Sequence, residues 1–492
     1  MRVATSIIVS AVLAGLCGCS SASTLSTSGR ERASHETPGT VLEDSIDGVL
    51  NDSILASCFI GMKIISADDG RVLYERNGNK LFHPASNMKL LTTATALAVL
   101  GTDFKFKTTF QADGKLEDST LRGNIHVKGV GDPLVRTEHL DSVAWQLRQR
   151  GIRRVTGDIV GDVSYFDTLY WGLGWMWDDE PSTDAAFLTP LTINSNSLEI
   201  VVAPGHKTGD GVQALIEPNT TYVELLNKGL TSPDTALPPL DVTRLRGQNT
   251  IIISGRLAPG MGSGEFGVSV WKPEMYFLTL LRERLLQCGI TVHGIIRLDT
   301  AKGTIALSAI EHTMDSVLHQ INKPSDNLAA EQLLKTIASE EFHIPGSAST
   351  GLSVVKQYLS SANIDTSNMI LADGSGLSWY NAVSPDMLVK LLLDQYKRTS
   401  TFKHFYESLP IAGVDGTLIN RMKGTRAESN VHAKTGSLTG VSALSGYVTT
   451  ADGKMLICSI LCNHFPAEIL PLRNAQNRIM AILAGHRVGP GN

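Results

Sequence analysis

The sequence lacks features that several classes of protein require. It has no long Lys/Arg cluster, and 43 basic against 48 acidic residues give a net charge of −5, so nothing favours binding to nucleic acid. Beyond the first residues, no apolar run is long enough to span a membrane. No internal repeat is present. The hydrophobic content of 42% and charged content of 18% are those of a globular protein, and 492 residues allow two or three domains.

Cysteine is scarce, with six residues in the chain. Cys58, Cys288, Cys458 and Cys462 have no C-x-x-C or Cys/His spacing, so we expect no metal and no cofactor. Cys458 and Cys462 fall in a predicted strand, where four residues span roughly 13 Å, too far for a disulfide. We expect free buried thiols, and pairing with Cys58 stays open.

The first residues have the pattern of an export signal, with Met1-Arg2 followed by an apolar run from Ile7 to Leu16. Leu16-Cys17-Gly18-Cys19 resembles the lipobox of bacterial lipoproteins, in which the last cysteine is lipidated. We therefore expect a signal peptide over 1–18, then a lipidated Cys19 and a Ser/Thr-rich tether over 19–41. The protein would be exported to the periplasm or cell envelope and held at a membrane. Cleavage by an ordinary signal peptidase is the alternative.

A serine and a lysine share the first turn of a predicted helix. The apolar spacing predicts a helix from Asn87 onward, with Ser86 at its N-cap and Lys89 on the same face. Burial and the helix dipole both lower the pKa of a lysine at this place. Such a neutral amine can take the proton of the serine hydroxyl. The alternative is a capping serine followed by a solvated lysine.

Two further motifs follow. Ser325-Asp326-Asn327 precedes the helical run Ala329–Ile337, and its serine and asparagine can point into one cleft, although a simple helix cap would have the same pattern. His432 to Ser437 enters a predicted hairpin strand. There Lys434 offers positive charge to a carboxylate, and Gly436 allows a ligand backbone to approach the strand edge.

In this order, S-x-x-K, S-x-N and K-T-G form the motif set of the penicillin-binding proteins and serine β-lactamases. More than 200 residues separate Ser86 from Ser325. With that interval, the chain from Leu42 to Ala484 resembles the penicillin-binding protein 4 group of D-alanyl-D-alanine carboxypeptidase/endopeptidases, the S13 serine peptidases. Four further stretches carry the resemblance: Gly129–Pro133, Gly174–Asp179, Asp373–Ser378 and Gly413–Thr417.

The resemblance implies a role for each motif residue. Ser86 would be the nucleophile and Lys89 its general base, while Ser325 and Asn327 relay the leaving-group proton and hold the substrate amide. Lys434 and Thr435, beside Gly436, would bind the terminal carboxylate, and the backbone amides of Ser86 and Ser437 would form the oxyanion hole. Asp179 falls where the group has an acid close to the cleft. The implied substrates are peptidoglycan stem peptides ending in D-Ala-D-Ala and D-Ala cross-links, with β-lactams as acylating inhibitors.

Three other functions remain as alternatives. A β-lactamase of class A needs a glutamate with asparagine four residues later, and no glutamate between Ser86 and Ser325 has one. A penicillin sensor would normally follow transmembrane helices. A wall-binding lipoprotein without activity is disfavoured by three intact motifs.

We expect an α+β fold, an antiparallel sheet with helices on both faces, carrying a large mainly-β insertion between the first two motifs. The D,D-peptidase domain would comprise residues 42–103 and 298–492. One inserted domain would comprise 104–121 and 189–297, and another 122–188.

Overall fold

The computed structural model describes residues 41–465 and 468–488. The predicted export signal, the lipidated Cys19 and the tether up to residue 40 lie outside the described residues. From Val41 onward the chain belongs to one compact unit.

The described residues form α-helices and strands over the following ranges, in chain order. The α-helices are α1 (Val41–Leu50), α2 (Met88–Val99), α3 (Thr137–Gln149), α4 (Pro273–Gln287), α5 (Met314–Asn322), α6 (Asn327–Phe342), α7 (Ala348–Ser361), α8 (Pro385–Lys397), α9 (Phe402–Ser408) and α10 (Leu470–Gly485). The strands are β1 (Phe59–Ser66), β2 (Val72–Arg76), β3 (Lys105–Ala112), β4 (Lys115–Glu117), β5 (Thr120–Arg122), β6 (Ile125–Lys128), β7 (Arg154–Val155), β8 (Ile159–Asp162), β9 (Ser197–Ala203), β10 (Gln213–Glu217), β11 (Glu224–Asn227), β12 (Leu230–Thr231), β13 (Asp241–Arg244), β14 (Thr250–Ser254), β15 (Arg256–Leu257), β16 (Gly264–Ser269), β17 (Thr291–Val292), β18 (Ile296–Leu298), β19 (Ile305–Thr313), β20 (His432–Leu438), β21 (Val441–Thr449) and β22 (Met455–Asn463).

A five-stranded antiparallel sheet, in the order β2-β1-β22-β21-β20, lies at the centre of the catalytic part, that is, the region outside the insertion, which contains all three motifs. Its central strands β21 and β22 are almost entirely buried. Successive side chains of a strand point to opposite faces, so burial along the whole strand means that both faces are covered. One face packs on α2 and α5 to α9, and the other on α1 and α10. The predicted α+β fold with helices on both faces of an antiparallel sheet is confirmed.

The insertion between α2 and α5 has its own core, formed by α3, α4 and several sheets. Its five-stranded sheet has the order β18-β8-β6-β3-β19, and a four-stranded sheet has the order β17-β7-β5-β4. Here β3 pairs directly with β6 and with β19. The predicted boundary at 121/122 falls between the paired strands β3 and β6, and the one at 297/298 falls between the paired strands β3 and β19.

A second group of strands, β9 to β16, pairs only within itself among the described residues, in sheets of three, three and two strands. We refer to this group, which spans residues 197–269, as the nested piece of the insertion; the predicted inner boundaries enclosed residues 122–188 instead. An alternating apolar pattern can indicate that a strand is present, but it carries no information about which distant strand is the partner.

Residues 163–196, the return segment, lead from the insertion back to the catalytic part. Tyr165 donates a hydrogen bond to Glu340 on α6 at 2.6 Å, and Asp167 pairs with Lys335 on the same helix at 2.6 Å. The return segment therefore covers the outer side of α6, the helix that begins at Asn327.

The four cysteines of the described part are free thiols, and Cys458 and Cys462 are buried in β22. Across residues 41–465 and 468–488, no helix combines the length and the apolar character needed to cross a membrane.

Candidate active site

Ser86 lies in a short 3-10 turn, Ala85–Asn87, that leads directly into α2. The prediction that Ser86 caps the helix is wrong: Asn87 occupies the cap position, and no side chain caps the helix there. Ala85 has a φ of 46°, a left-handed conformation that a residue with a Cβ rarely adopts. The serine hydroxyl is consequently not engaged by the helix backbone and is directed at Lys89.

Two glycines allow this turn to be packed tightly. A Cβ on Gly376, whose φ is 87°, would lie 1.9 Å from the carbonyl oxygen of Ala85. A Cβ on Gly436 would lie 2.7 Å from the carbonyl oxygen of Pro84. Gly436 was expected to admit a ligand backbone; in the structure it allows the turn that carries Ser86 to lie close to β20, while Gly376 allows the same turn to lie close to the 373–376 loop.

Lys89 is completely buried and has three polar neighbours. Its Nζ lies 3.0 Å from Ser86 Oγ, 2.6 Å from Asn327 Oδ1 and 2.8 Å from the carbonyl oxygen of Ser375. Burial lowers the pKa of Lys89 to about 8, against the opposing effect of nearby carboxylates. The lysine is therefore able to exchange its proton near neutral pH, as the sequence predicted.

The second motif fits both arrangements that its sequence allowed, a helix cap and a serine and asparagine that point into one cleft. Asp326 is the N-cap of α6, accepting from the N–H of Ala329 at 2.9 Å. On either side of it, Ser325 adopts a φ of 73° and Asn327 opens the helix. The amide of Asn327 joins three elements, because its Oδ1 faces Lys89 and its Nδ2 donates to the carbonyl oxygen of Asp184 at 2.9 Å.

The third motif lies on β20, the edge strand of the central sheet. The carbonyl oxygen of Lys434 accepts from Asn87 Nδ2 at 3.1 Å, which connects the strand to the turn that carries Ser86. Burial and the neighbouring Lys89 hold the pKa of Lys434 well below its usual value. A substrate carboxylate next to Lys434 would act in the opposite direction and favour the ammonium form.

These motifs meet in a cleft of about 410 Å³. Its lining includes Ser86, Ser325, Asn327, Thr435, Gly436 and Ser437, all predicted, together with Asp184, Thr417, Arg421 and Arg473, which no sequence motif had marked as site residues. Thr417 ends the predicted stretch Gly413–Thr417, and its Oγ1 accepts from Thr435 Oγ1 at 2.7 Å. The two arginines carry no local signal, because they reach the cleft through the packing of distant elements.

Asp179 does not line the cleft. Its carboxylate accepts from the backbone N–H of Met176 at 2.7 Å within a 3-10 turn, and burial raises the pKa of Asp179. Asp184, five residues later, is the acid that lines the cavity. The sequence W-D-D-E-P-S-T-D offers several acids, and only the path of the return segment decides which of them faces the cleft.

Comparisons with known proteins agree with this geometry. Residues 42–485 match the D-Ala-D-Ala carboxypeptidase 3 (S13) family. The D-alanyl-D-alanine carboxypeptidase of Actinomadura sp. (strain R39) is 33% identical over 468 residues, 92% of this chain and 86% of that protein.

Solved structures are similar over nearly the whole chain. Penicillin binding protein 4 (dacB) from Haemophilus influenzae has a TM-score of 0.80 at 26% identity, covering 91% of this chain and 100% of that one. A complex of the same protein with a novel β-lactam has a TM-score of 0.75 at 25% identity, covering 90% and 99%.

Proposed function

Because the chain belongs to the D-Ala-D-Ala carboxypeptidase 3 (S13) family and is a D-alanyl-D-alanine carboxypeptidase of the serine type, we propose that Ser86 is its nucleophile and Lys89 the general base. The observation that supports this most directly is the set of three contacts around Lys89 Nζ. A neutral amine has two N–H groups and one lone pair. Asn327 Oδ1 and the Ser375 carbonyl accept the two hydrogens, which leaves the lone pair directed at the Ser86 hydroxyl.

Acylation then follows from the arrangement of the cleft. Lys89 takes the hydroxyl proton while Ser86 Oγ attacks the carbonyl carbon between the two D-alanines. The amides of Ser86 and Ser437 stabilise the oxyanion, and each such donor is typically worth about 3 kcal/mol of barrier. The C–N bond breaks as the proton passes from Lys89 through the Ser325 hydroxyl to the amine of the departing D-alanine.

Deacylation uses the same base. Once free D-alanine has left, a water molecule attacks the ester carbonyl and gives its proton to the neutral Lys89. The proton returns to Ser86 Oγ as the ester bond breaks, which releases the shortened peptide and restores the enzyme.

The carboxylate of the substrate would lie at the β20 end of the cleft. Lys434 and the hydroxyls of Thr435 and Ser437 supply charge and donors there. Arg473 donates to Ser437 Oγ at 3.3 Å, and Arg421 also lines this part of the cavity, so the positive charge extends beyond the motif itself.

The test offers the purified protein a muropeptide ending in D-Ala-D-Ala, a cross-linked muropeptide and a chromogenic β-lactam. We expect repeated D-alanine release and a slowly hydrolysed penicilloyl adduct, because the tethered β-lactam leaving group blocks water. Cleavage of the cross-linked substrate would add endopeptidase activity. Fast β-lactam turnover without D-alanine release would instead identify a β-lactamase, and a stable adduct without peptide turnover a sensor.

Ser86→Ala provides the matched control for these assays. The hydroxyl caps no helix, so the variant should unfold at nearly the wild-type temperature while losing the penicilloyl adduct seen by mass spectrometry. Retained labelling would refute Ser86 as the nucleophile.

We also propose that the protein is exported and anchored through a lipid on Cys19, supported by the lipobox-like Leu16–Cys19 and by a substrate found outside the cytoplasm. Cys19→Ser should move the protein from the membrane fraction to the soluble fraction, whereas Cys17→Ser should not. A wild-type protein found in the soluble fraction would contradict the anchor.

A further inference from the structure

Glu331 is a fully buried acid on α6, one turn after Asn327, that none of the steps above uses. Its Oε1 accepts from the N–H groups of Gly374 and Ser375, at 2.9 and 2.7 Å. Its Oε2 is buried without a hydrogen-bond partner in the part of the chain that the structure describes. A buried carboxyl costs free energy unless it is paired, so an acid at this position calls for a reason beyond packing.

The two amides that Glu331 holds belong to the 373–376 turn, which lies against Lys89. The carbonyl oxygen of Ser375 accepts from Lys89 Nζ at 2.8 Å. From α2, Thr92 Oγ1 donates to the carbonyl oxygen of Gly374 at 2.7 Å. Glu331 and Thr92 therefore hold opposite ends of one peptide group, and the next carbonyl along the chain is the acceptor for the general base.

A second buried carboxylate, that of Asp373, lies in the same turn and accepts several hydrogen bonds. Asp373 accepts from the N–H groups of Gly376 and Ser378 and from the side chains of Asn381, Trp175 and Ser375. Burial and this neighbouring charge raise the pKa of Glu331 well above its usual value. Glu331 is therefore an acid whose charge can change while the enzyme works.

We propose that Glu331 is a positioning residue for the general base: one oxygen fixes the 373–376 turn against Lys89, and the other is a proton site whose charge controls how readily Lys89 gives up its proton. The inference rests on the proposed role of Lys89. A neutral Glu331 favours the reactive amine, and an ionised one favours the ammonium.

Other charged groups also face Lys89. They are Asp373 on the turn, Asp326 at the start of α6, Asp184 on the return segment and Lys434 on β20. All four are retained in variants of Glu331, so a change in the pH dependence can be assigned to this side chain.

The deciding variant is Glu331→Gln, which keeps an oxygen for the two amides and removes the negative charge. The acylation rate with a fluorescent penicillin is measured against pH. In the plot of acylation rate against pH, we expect the rising part at low pH, the acid limb, to move to lower pH by roughly one unit. The maximum rate reached at high pH, the plateau, should stay close to wild type. Glu340→Gln is the matched control on the same helix: Glu340 accepts from Tyr165 at 2.6 Å, and its variant should leave the limb in place.

Two further variants distinguish the anchoring of the 373–376 turn from the effect of the charge on Glu331. Glu331→Asp keeps the charge but withdraws the carboxylate from the turn, so the limb should stay and the plateau should fall roughly tenfold or more. Thr92→Val removes the hydrogen bond from Thr92 to the carbonyl oxygen of Gly374, on the other side of the turn. It should likewise lower the plateau without moving the acid limb.

An unmoved limb in Glu331→Gln overturns the proposal. If that variant does not fold, Thr92→Val decides, and a wild-type plateau there overturns the positioning role of the turn. If the proposed role of Lys89 as general base is itself wrong, Lys89→Arg should acylate at a near-normal rate. That result distinguishes failure of the proposed function from failure of the proposal about Glu331.

Discussion

At the residue scale, the proposed general base, Lys89, is a lysine whose side chain is fully shielded from solvent. Water would stabilise the ammonium form, and complete burial removes that stabilisation. The nearby carboxylates limit the effect, since they favour the charged form. The balance leaves a pKa of about 8, so roughly a tenth of Lys89 is neutral at pH 7 and the fraction rises steeply above it.

This balance predicts the pH dependence of acylation. Only the neutral amine accepts the Ser86 proton, so the rate should rise with pH and level off above about 8. Lys89→Arg should be inactive at every pH, because a guanidinium is not deprotonated in a protein. Stopped-flow acylation by a β-lactam measures both. A rate that falls as pH rises through this range would contradict Lys89 as the base.

Also at this scale, we expect that Asp184 rather than Asp179 would bind a free amine on a substrate side chain, because Asp184 lines the cleft. Asp184→Asn keeps the backbone carbonyl that binds Asn327 but removes charge from the cleft, so KM for an amine-bearing peptide should rise roughly tenfold. Asp179→Asn retains an acceptor for the Met176 N–H and should be close to wild type. Steady-state kinetics on peptides with and without the amine compare the two. A larger effect of Asp179→Asn would restore the residue that the sequence favoured.

At the scale of elements, the return segment connects the insertion to the cleft. The Arg244 side chain from the nested piece is completely buried and pairs with Glu180 of the return segment. Its guanidinium also donates to the carbonyl oxygens of Ser269 and Gln248. Four residues after Glu180, the carbonyl of Asp184 holds Asn327. The insertion therefore supports one wall of the active site from a distance.

Breaking this support should impair both stability and substrate binding. Arg244→Gln leaves Glu180 unpaired, which typically costs about 3 kcal/mol for a buried pair, and KM should rise as Asn327 loses a fixed partner. Arg246→Gln is the control, since its guanidinium lies over the exposed Trp177 ring at 4.1 Å and pairs with no buried acid among the described residues. Thermal unfolding and KM measure the two effects. Equal values for the two variants would show that the Arg244 contact does not support the cleft.

At the scale of the whole molecule, the central sheet joins chain segments from both sides of the insertion. β1 pairs along its full length with β22, so the first and last parts of the catalytic region form one structure. Cys458 and Cys462 lie on β22, and burial raises the pKa of both thiols, to about 12 for Cys462.

These thiols should report global unfolding. In the native protein a maleimide should modify Cys58 and Cys288, which are partly exposed, and leave Cys458 and Cys462 unmodified. Peptide-resolved mass spectrometry in increasing urea should show the buried pair reacting only when activity is lost. Reaction of Cys458 before that point would mean that the sheet opens locally.

The sequence alone determined the parts of this protein that depend on short-range patterns. The three motifs, the order in which they occur and the helices and strands that carry them follow from residues within a few positions of one another. Tertiary structure decided the features that depend on contacts between distant residues. These are the strand partners inside the insertion, Asp184 rather than Asp179 at the cleft, the approach of Arg421 and Arg473, and the contact of Glu331 with the 373–376 turn. No local pattern encodes these, because each depends on how segments far apart in the chain pack against each other.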